Sequence, residues 1–264
     1  MSIRVVSPAL KTYEAMASAY DTFTADYPYE RWLARILSLA RRHGLKGGRV
    51  LDVACGTGKS AEPLVRRGYT VTACDVSPSM AAIATQRLGM AADVLVADMR
   101  DLPASLGRFD LVTCLDDAIN YLTDVEDLLA AFASVRDVLA PDGLYVFDVN
   151  KLHAYETAFD RDFVAEIGDT LFCWHAGRET DAAAGPDEPH VAQLDVFTAV
   201  ADGHWARQTS RHHQRHFSDE VIRSALERAG LRCIEVVGQS PGAELSRPAD
   251  ESIHNKRLYV VGHA

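Results

Sequence analysis

The 264-residue sequence lacks any apolar run close to the roughly 20 residues that a membrane-spanning helix requires. Its first eight residues contain no long apolar segment, so we expect neither a signal peptide nor a membrane partner, and a cytoplasmic location. Cysteine is scarce, and no two cysteines form a C-x-x-C pair. An odd number of cysteines scattered along the chain predicts buried thiols in a reducing compartment. It argues against a disulfide framework or a zinc site. The five residues are Cys55, Cys74, Cys114, Cys173 and Cys233.

Basic residues are outnumbered, with 27 Lys and Arg against 37 Asp and Glu and a formal net charge of -10. Proteins that bind nucleic acids usually carry a basic stripe. The one basic cluster here, Arg207, Arg211 and Arg215, is mixed with histidines. We therefore expect a small-molecule substrate and no nucleic acid, while a homo-oligomer stays open. Apolar residues at 48% exclude extensive disorder.

Short apolar runs alternate with helical stretches from Arg49 to Asn150. Helices are predicted to begin at Ser77-Pro78 and after Asp124, because proline suits a first helical turn and aspartate caps one. This βαβ order is typical of a parallel sheet with helices on both faces. Residues 1–48 are predicted to form a helical cap in front of this domain.

The pattern changes between residues 151 and 217, where alternating runs surround the hairpin signal Asp202-Gly203 and a polar loop from Asp181 to Pro189. Helix and strand resume after Ser218. We therefore predict that 49–150 and 218–264 form one α/β domain. An antiparallel β lid, residues 151–217, is inserted into it.

A glycine-rich turn follows the first predicted strand, in Val50-Leu51-Asp52-Val53-Ala54-Cys55-Gly56-Thr57-Gly58. A phosphate loop is excluded, because it requires a glycine where Val53 stands. A dinucleotide site would need G-x-G-x-x-G/A, which Gly56, Gly58 and Ala61 satisfy. A pyrophosphate there would face the carboxylate of Asp52, however, and like charges at short range repel each other.

S-adenosylmethionine avoids that conflict, because it carries a positive sulfonium and no phosphate. Asp52 would favour the positive charge, and Asp75, at the end of the second strand, would accept hydrogen bonds from both ribose hydroxyls. Asp98, after the third strand, would bind the adenine amino group. The sequence therefore favours S-adenosylmethionine, with an NAD-dependent dehydrogenase or a non-catalytic binding scaffold as remote alternatives.

The glycine-turn string resembles the first motif of class I S-adenosylmethionine-dependent methyltransferases, which implies a Rossmann-like sheet. Three further strings resemble other motifs of that family: Asp75-Val76-Ser77-Pro78-Ser79-Met80, Ala97-Asp98-Met99 and Cys114-Leu115-Asp116-Asp117-Ala118-Ile119-Asn120-Tyr121-Leu122. The resemblance is strongest to small-molecule N-methyltransferases, such as glycine N-methyltransferase and sugar N,N-dimethyltransferases. It extends over 49–150 and the tail, and is weak across 151–217.

The resemblance implies that Asp75 holds the ribose, that Val76, Asp98 and Met99 bind adenine, and that Leu115 meets the methionine end. Tyr20 resembles the tyrosine of the N-terminal helix that closes over the cofactor, and Trp32 resembles an aromatic residue on the following helix. The full set of cofactor-binding residues implied in this way is Tyr20, Trp32, Ala54, Gly56, Gly58, Asp75, Val76, Met80, Asp98, Met99 and Leu115. The chain departs from the glycine enzymes at Asp116-Asp117, where they have Gly-Asn, and it lacks a clear match to their tail-binding arginine.

The acceptor is predicted to contact Asp116, Asp117 and Tyr121, because chemistry in open α/β sheets takes place at the carboxyl ends of strands. The two aspartates would bind an ammonium or hold its deprotonated amine; capping a short turn is the other interpretation. His212 and His213 are the candidate bases, and no metal is expected, because the histidine-rich stretch lacks H-E-x-x-H. We predict methyl transfer to a small amine, with S-adenosylhomocysteine as product, and oxygen methylation of a small natural product as the runner-up.

Overall fold

The computed structural model describes residues 7–177, 187–250 and 252–264. The first six residues, considered above for a signal segment, and most of the polar loop from Asp181 to Pro189 lie outside these ranges. Within them, none of the helices combines the length and apolar character needed to cross a membrane.

Strands and helices alternate through the first half of the chain, whereas strands dominate the second half. The described residues form the helices α1 (Pro8–Phe23), α2 (Tyr29–Arg42), α3 (Ala61–Arg66), α4 (Pro78–Leu88), α5 (Val125–Val138), α6 (Leu152–Ala154) and α7 (Asp219–Arg228). They form the strands β1 (Arg49–Val53), β2 (Thr70–Asp75), β3 (Ala92–Val96), β4 (Phe109–Cys114), β5 (Leu139–Asn150), β6 (Phe163–Ile167), β7 (Thr170–Ala176), β8 (Pro189–Ala199), β9 (Trp205–Arg215), β10 (Leu231–Ser240), β11 (Glu244–Ser246) and β12 (Lys256–His263).

Eight strands form the main sheet in the order β11-β10-β12-β5-β4-β1-β2-β3. The five adjacent strands β5, β4, β1, β2 and β3 run parallel to one another. Strand β12 lies antiparallel to both of its neighbours, β5 and β10. The predicted parallel sheet is therefore confirmed, and so is the α/β fold class.

Both faces of the main sheet are covered by helices, so its central strands are apolar on both sides. Leu51 on β1 packs in a core with Phe132 of α5 and Leu226 of α7. Its neighbour Val50 points the other way, into a core with Ile36 of α2 and Leu64 of α3. The continuous apolar run that identified β1 in the sequence follows from this two-sided burial.

Three helices begin where the sequence predicts, at residues that cap them. The Ser77 hydroxyl accepts a hydrogen bond from the Met80 N–H of α4 at 3.1 Å. The carboxylate of Asp124 accepts from the N–H of Glu126 at 2.9 Å, and Ser218 caps α7 in the same way. Each cap satisfies a backbone donor that the first turn of a helix leaves unpaired.

A second, antiparallel sheet has the order β6-β7-β8-β9. The predicted hairpin at Asp202-Gly203 joins β8 to β9, as expected. Helix α1 packs on this sheet through Met16 and Ala19, which share a core with Trp174. The second sheet therefore contacts the first helix of the chain, and the division into cap, lid and α/β domain stays a prediction.

Candidate cofactor and acceptor site

A cavity of about 830 Å³, partly open to solvent, lies at the carboxyl ends of the parallel strands β1 to β4. Ligands of open α/β sheets bind at this edge. We call it the cofactor cavity. The sequence-predicted residues that line it are Tyr20, Ala54, Gly56, Asp75, Val76, Asp98, Met99, Leu115, Asp116 and Tyr121.

The glycine turn after β1 forms the floor of the cofactor cavity. Gly56 has a φ of +54°, a left-handed conformation that glycine adopts without strain. A Cβ at this position would lie 3.6 Å from the ring of Tyr20, which covers the turn from α1. A side chain larger than hydrogen would therefore fill the space between the turn and Tyr20.

Asp75 ends β2 with its carboxylate at the wall of the cofactor cavity. One oxygen accepts a hydrogen bond from the Gly56 N–H and the other from the Ser77 N–H, both at 2.9 Å. Burial raises the pKa of Asp75 to about 6, while these amides favour the ionised form and limit the rise. Each oxygen has a further lone pair for a donor, so the ionised carboxylate fits the two hydroxyls of a ribose.

Asp98 also lines the cofactor cavity, but its carboxylate is already paired. The Arg100 guanidinium donates to both oxygens, with Nε at 3.0 Å from Asp98 Oδ1 and Nη2 at 2.6 Å from Asp98 Oδ2. Its Nη1 donates to Asp127 of α5 at 2.8 Å. The adenine contact expected at Asp98 must therefore use the lone pairs that Arg100 leaves, and Arg100 fixes the direction in which they point.

Asp52 does not line the cofactor cavity, so the favourable effect expected on a positive sulfonium would have to act without direct contact. It is 1% exposed and lies beneath the glycine turn. Its carboxylate accepts hydrogen bonds from the hydroxyls of Ser60 at 2.6 Å and Thr113 at 2.7 Å. Burial raises the pKa of Asp52 to about 6. The side chain therefore joins the turn to β4 from below.

Three of the residues assigned to the cofactor by resemblance lie behind the cavity wall. Trp32 and Met80 are buried in the core, and the ring of Trp32 lies under the Lys256 ammonium at 5.4 Å. Gly58 faces α4, where a Cβ would come within 3.2 Å of the Ala84 side chain. None of the three lines the cofactor cavity.

Asp116 and Asp117 lie beside two charged residues that sequence reasoning missed, Asp148 and Lys256. The Lys256 ammonium lies 2.9 Å from Asp116, 3.0 Å from Asp148 and 3.4 Å from Asp117. The Asp148 carboxylate accepts the backbone N–H groups of Asp116 and Asp117, which hold left-handed conformations. We call these four residues the acid cluster; it has three carboxylates and one ammonium.

Within the acid cluster the Asp148 side chain is fully buried and the other three are 14–20% exposed. Burial raises the pKa of Asp117 to about 6 and that of Asp148 above its ordinary value. The ammonium of Lys256 opposes both shifts. In the sequence, Asp148 is visible as a charge that interrupts an apolar strand and Lys256 as a charge that begins the last strand, but no pattern shows that they pair with Asp116 and Asp117.

The two histidines proposed as bases point to opposite sides of β9. His212 is buried, with Nδ1 at 2.8 Å from the Tyr121 hydroxyl and Nε2 at 3.0 Å from the Ser210 hydroxyl. Burial lowers the pKa of His212 to about 3, so its imidazole is neutral and only weakly basic. His213 lines neither the cofactor cavity nor the cavity that contains His212.

That second cavity, which we call the acceptor cavity, has a volume of about 980 Å³ and is partly open to solvent. It lies between α1, the acid cluster and the antiparallel sheet. Tyr13, Tyr20, Asp116 and Tyr121 line both cavities, so the two adjoin at these residues. A cofactor and a second substrate would therefore meet at the acid cluster.

The strand order and the cavity at the strand ends define the fold of class I S-adenosylmethionine-dependent methyltransferases. Residues 50–143 match the model of a methyltransferase domain. The chain superposes on an S-adenosylmethionine-dependent methyltransferase from Clostridium acetobutylicum with a TM-score of 0.80 and 24% identity, over 96% of this chain and 99% of the other.

Curated relatives agree with this class. The chain is 31% identical to "Putative methyltransferase YqeM" of Bacillus subtilis, over 90% of this chain and 94% of the relative. It is 39% identical to a dTDP-3-amino-3,6-dideoxy-alpha-D-glucopyranose N,N-dimethyltransferase of Streptomyces fradiae, over 77% of each. It is also 31% identical to a malonyl-[acyl-carrier protein] O-methyltransferase of Geobacter sulfurreducens, over 83% of this chain and 68% of the relative.

The chain therefore belongs to the S-adenosylmethionine-dependent methyltransferases. It is an enzyme, S-adenosylmethionine is its cofactor, and the family resemblance predicted from the sequence is confirmed. The dehydrogenase and scaffold alternatives are not supported.

Proposed function

We propose that this enzyme methylates the nitrogen of a small-molecule amine. The observation that carries the proposal is the acid cluster, which lies where the cofactor and acceptor cavities adjoin. Its three carboxylates outnumber its one ammonium, and a second cation would offset this excess. The Streptomyces fradiae relative, named as an N,N-dimethyltransferase, supports the same choice.

When bound, S-adenosylmethionine supplies a methyl carbon that accepts the lone pair of the acceptor nitrogen, as the carbon–sulfur bond breaks and its electrons pass to sulfur. The protein's main contribution is alignment, which is worth roughly 7–11 kcal/mol in well-oriented reactions. Asp116 and Asp117 bind the incoming ammonium. Asp117 takes the proton that the nitrogen loses, because its pKa of about 6 leaves it ionised near neutral pH.

Two tyrosines hold Asp116 in place for this role. The hydroxyls of Tyr29 and Tyr20 donate to Asp116 Oδ2, at 3.1 and 3.4 Å. The other oxygen of Asp116 accepts from Lys256. The neutral His212 orients the Tyr121 hydroxyl on the opposite wall and does not serve as the base.

Residues 49–150 and 218–264 then form the cofactor domain, and the antiparallel sheet in 151–217 covers the acceptor. Oxygen methylation is the second candidate function, because the Geobacter sulfurreducens relative is named as an O-methyltransferase.

The deciding experiment supplies S-adenosylmethionine with a deuterated methyl group and a panel of small amines and phenols, read by mass spectrometry. We expect the label on amine nitrogen. Asp117→Asn should lower kcat/KM for the amine at least tenfold and leave the affinity for S-adenosylhomocysteine unchanged, because Asp117 lines the acceptor cavity and not the cofactor cavity. Label on phenols alone, across a panel with equal numbers of both classes, would favour oxygen methylation instead.

A further inference from the structure

The acceptor cavity has an aromatic mouth. Phe163 on β6 and Trp174 on β7 line it with their rings parallel, 5.9 Å apart between centroids and 8° between planes. Phe163 is 38% exposed, and Tyr27, on the opposite rim after α1, is 44% exposed. Large aromatic side chains left open to solvent around a cavity are typical of a binding site for an apolar group.

One wall of the acceptor cavity is apolar as well, whereas Asn150, Gln214 and Asn255 line it elsewhere. Phe159 packs edge-on against Trp174, at 5.2 Å between ring centroids, and both line the cavity with Phe23 and Met16. The Trp174 indole N–H is already used, because it donates to the Phe159 carbonyl at 2.8 Å. These side chains therefore present hydrocarbon surface to an occupant.

Positive charge in the acceptor cavity is confined to its deep end. Among the described residues that line it, Lys256 is the one lysine or arginine, and its ammonium already contacts three carboxylates. His212 has both ring nitrogens paired with hydroxyls. A diphosphate is usually bound by arginine, lysine or a run of backbone amides. The described walls provide no free cationic side chain for one.

We infer that the acceptor is an amine carried on an apolar, ring-bearing body without a phosphate group. Its ammonium contacts Asp116 and Asp117, and its body lies against the surface formed by Phe159, Trp174 and Phe163. The inference rests on the proposed N-methylation and adds the class of substrate. It separates this enzyme from its Streptomyces fradiae relative, which is named for a dTDP-linked amino sugar.

Calorimetry on the protein saturated with S-adenosylhomocysteine tests binding without catalysis. The probes are arylalkylamines from benzylamine to 4-phenylbutylamine, and a dTDP-linked 3-amino-3,6-dideoxyglucose. We expect at least one arylalkylamine to bind more tightly than the nucleotide sugar. Phe163→Ala should weaken it about tenfold, because the partly exposed ring loses its contact with the ligand.

Trp205→Ala is the matched control, because Trp205 is 53% exposed on the antiparallel sheet and does not line the acceptor cavity. It should leave the affinity unchanged. Failure of every arylalkylamine to bind, tighter binding of the nucleotide sugar, or an unchanged affinity in Phe163→Ala would overturn the inference. Methylation of the nucleotide sugar on nitrogen would contradict this inference but agree with the proposed N-methylation. Methylation of phenols alone would contradict both the inference and the proposed function.

Discussion

At the scale of single residues, the most unusual groups are carboxylates buried around the cofactor cavity. Asp52, Asp75 and Asp117 have pKa values raised to about 6, with burial as the largest cause. A folded protein that binds protons more tightly than its unfolded chain is stabilised as pH falls through the raised pKa. These carboxylates therefore reduce the stability of the enzyme above about pH 6.

Asp52 allows a direct test, because it lies outside both cavities. Asp52→Asn removes a buried charge. This charge lowers the free energy of unfolding by up to about 3 kcal/mol above pH 6 and has no effect below about pH 4, where the carboxyl is protonated. In urea unfolding, we expect the free energy of unfolding of the variant minus that of the wild type to increase by about 3 kcal/mol between pH 4 and pH 7. Asp93→Asn, at an exposed position on β3, is the control and should show no such rise. A difference independent of pH in Asp52→Asn would contradict the prediction.

Residue contacts could be predicted from the sequence only where they are local. Asp75 was found because it ends a strand beside the glycine turn, and its partners Gly56 and Ser77 lie in neighbouring motifs. The pairing of Lys256 with Asp116 joins residues 140 positions apart, and no local pattern reports it. His212 and His213 could not be separated either, because a shift of one residue in the β9 register would exchange their sides.

At the scale of elements, α1 is joined to the N-terminus of α4 by polar contacts. The Glu14 carboxylate accepts from the Ser77 hydroxyl at 2.6 Å, the Ser79 N–H at 3.2 Å and the Ser79 hydroxyl. These contacts lie at the N-terminus of α4 and lower the pKa of Glu14. Because Tyr13 and Tyr20 of α1 line the cofactor cavity, we expect α1 to move when a ligand leaves.

Glu14→Gln should therefore loosen α1. A neutral amide is a weaker acceptor than a carboxylate at a helix N-terminus, so we expect S-adenosylhomocysteine to dissociate roughly three- to tenfold faster. Stopped-flow fluorescence measures this rate. Glu126→Gln, in an exposed acid of α5, should leave it unchanged. Equal dissociation rates in Glu14→Gln and the wild type would show that α1 does not control release.

Elements were predictable where capping and turn chemistry mark them, as at Ser77, Asp124, Ser218 and Asp202-Gly203. β6 was not predicted, because its residues are partly or fully exposed and lack a buried face. Strand β11 is three residues long and pairs with the preceding strand β10 across the turn Pro241–Ala243, so it is too short to show a periodic pattern. Pairing with a neighbouring strand, rather than the preference of its own residues, determines such a strand.

At the scale of the whole molecule, α1 connects the two sheets. The Thr12 hydroxyl donates to the Arg211 carbonyl on β9, and Met16 packs in the core of the antiparallel sheet. The same helix is joined to the glycine turn, where the Thr57 hydroxyl donates to Asp21 at 2.6 Å. Helix α1 thus contacts both the glycine turn and the antiparallel sheet, and we expect occupancy of the cofactor cavity to be coupled to that sheet through this helix.

This coupling predicts that S-adenosylhomocysteine will order a sheet that it does not touch. None of the residues of β9 lines the cofactor cavity. A ligand that holds α1 in place should nevertheless reduce the local unfolding of β9, which is measured by the exchange of its backbone amide hydrogens. In hydrogen exchange followed by mass spectrometry, we expect slower exchange across α1 and β9 when the ligand is added. Strand β11, at the far edge of the main sheet, should not change. Protection limited to the glycine turn and β2, with β9 exchanging as in the free enzyme, would show that the two cavities act independently and that the acceptor site is formed before the cofactor binds.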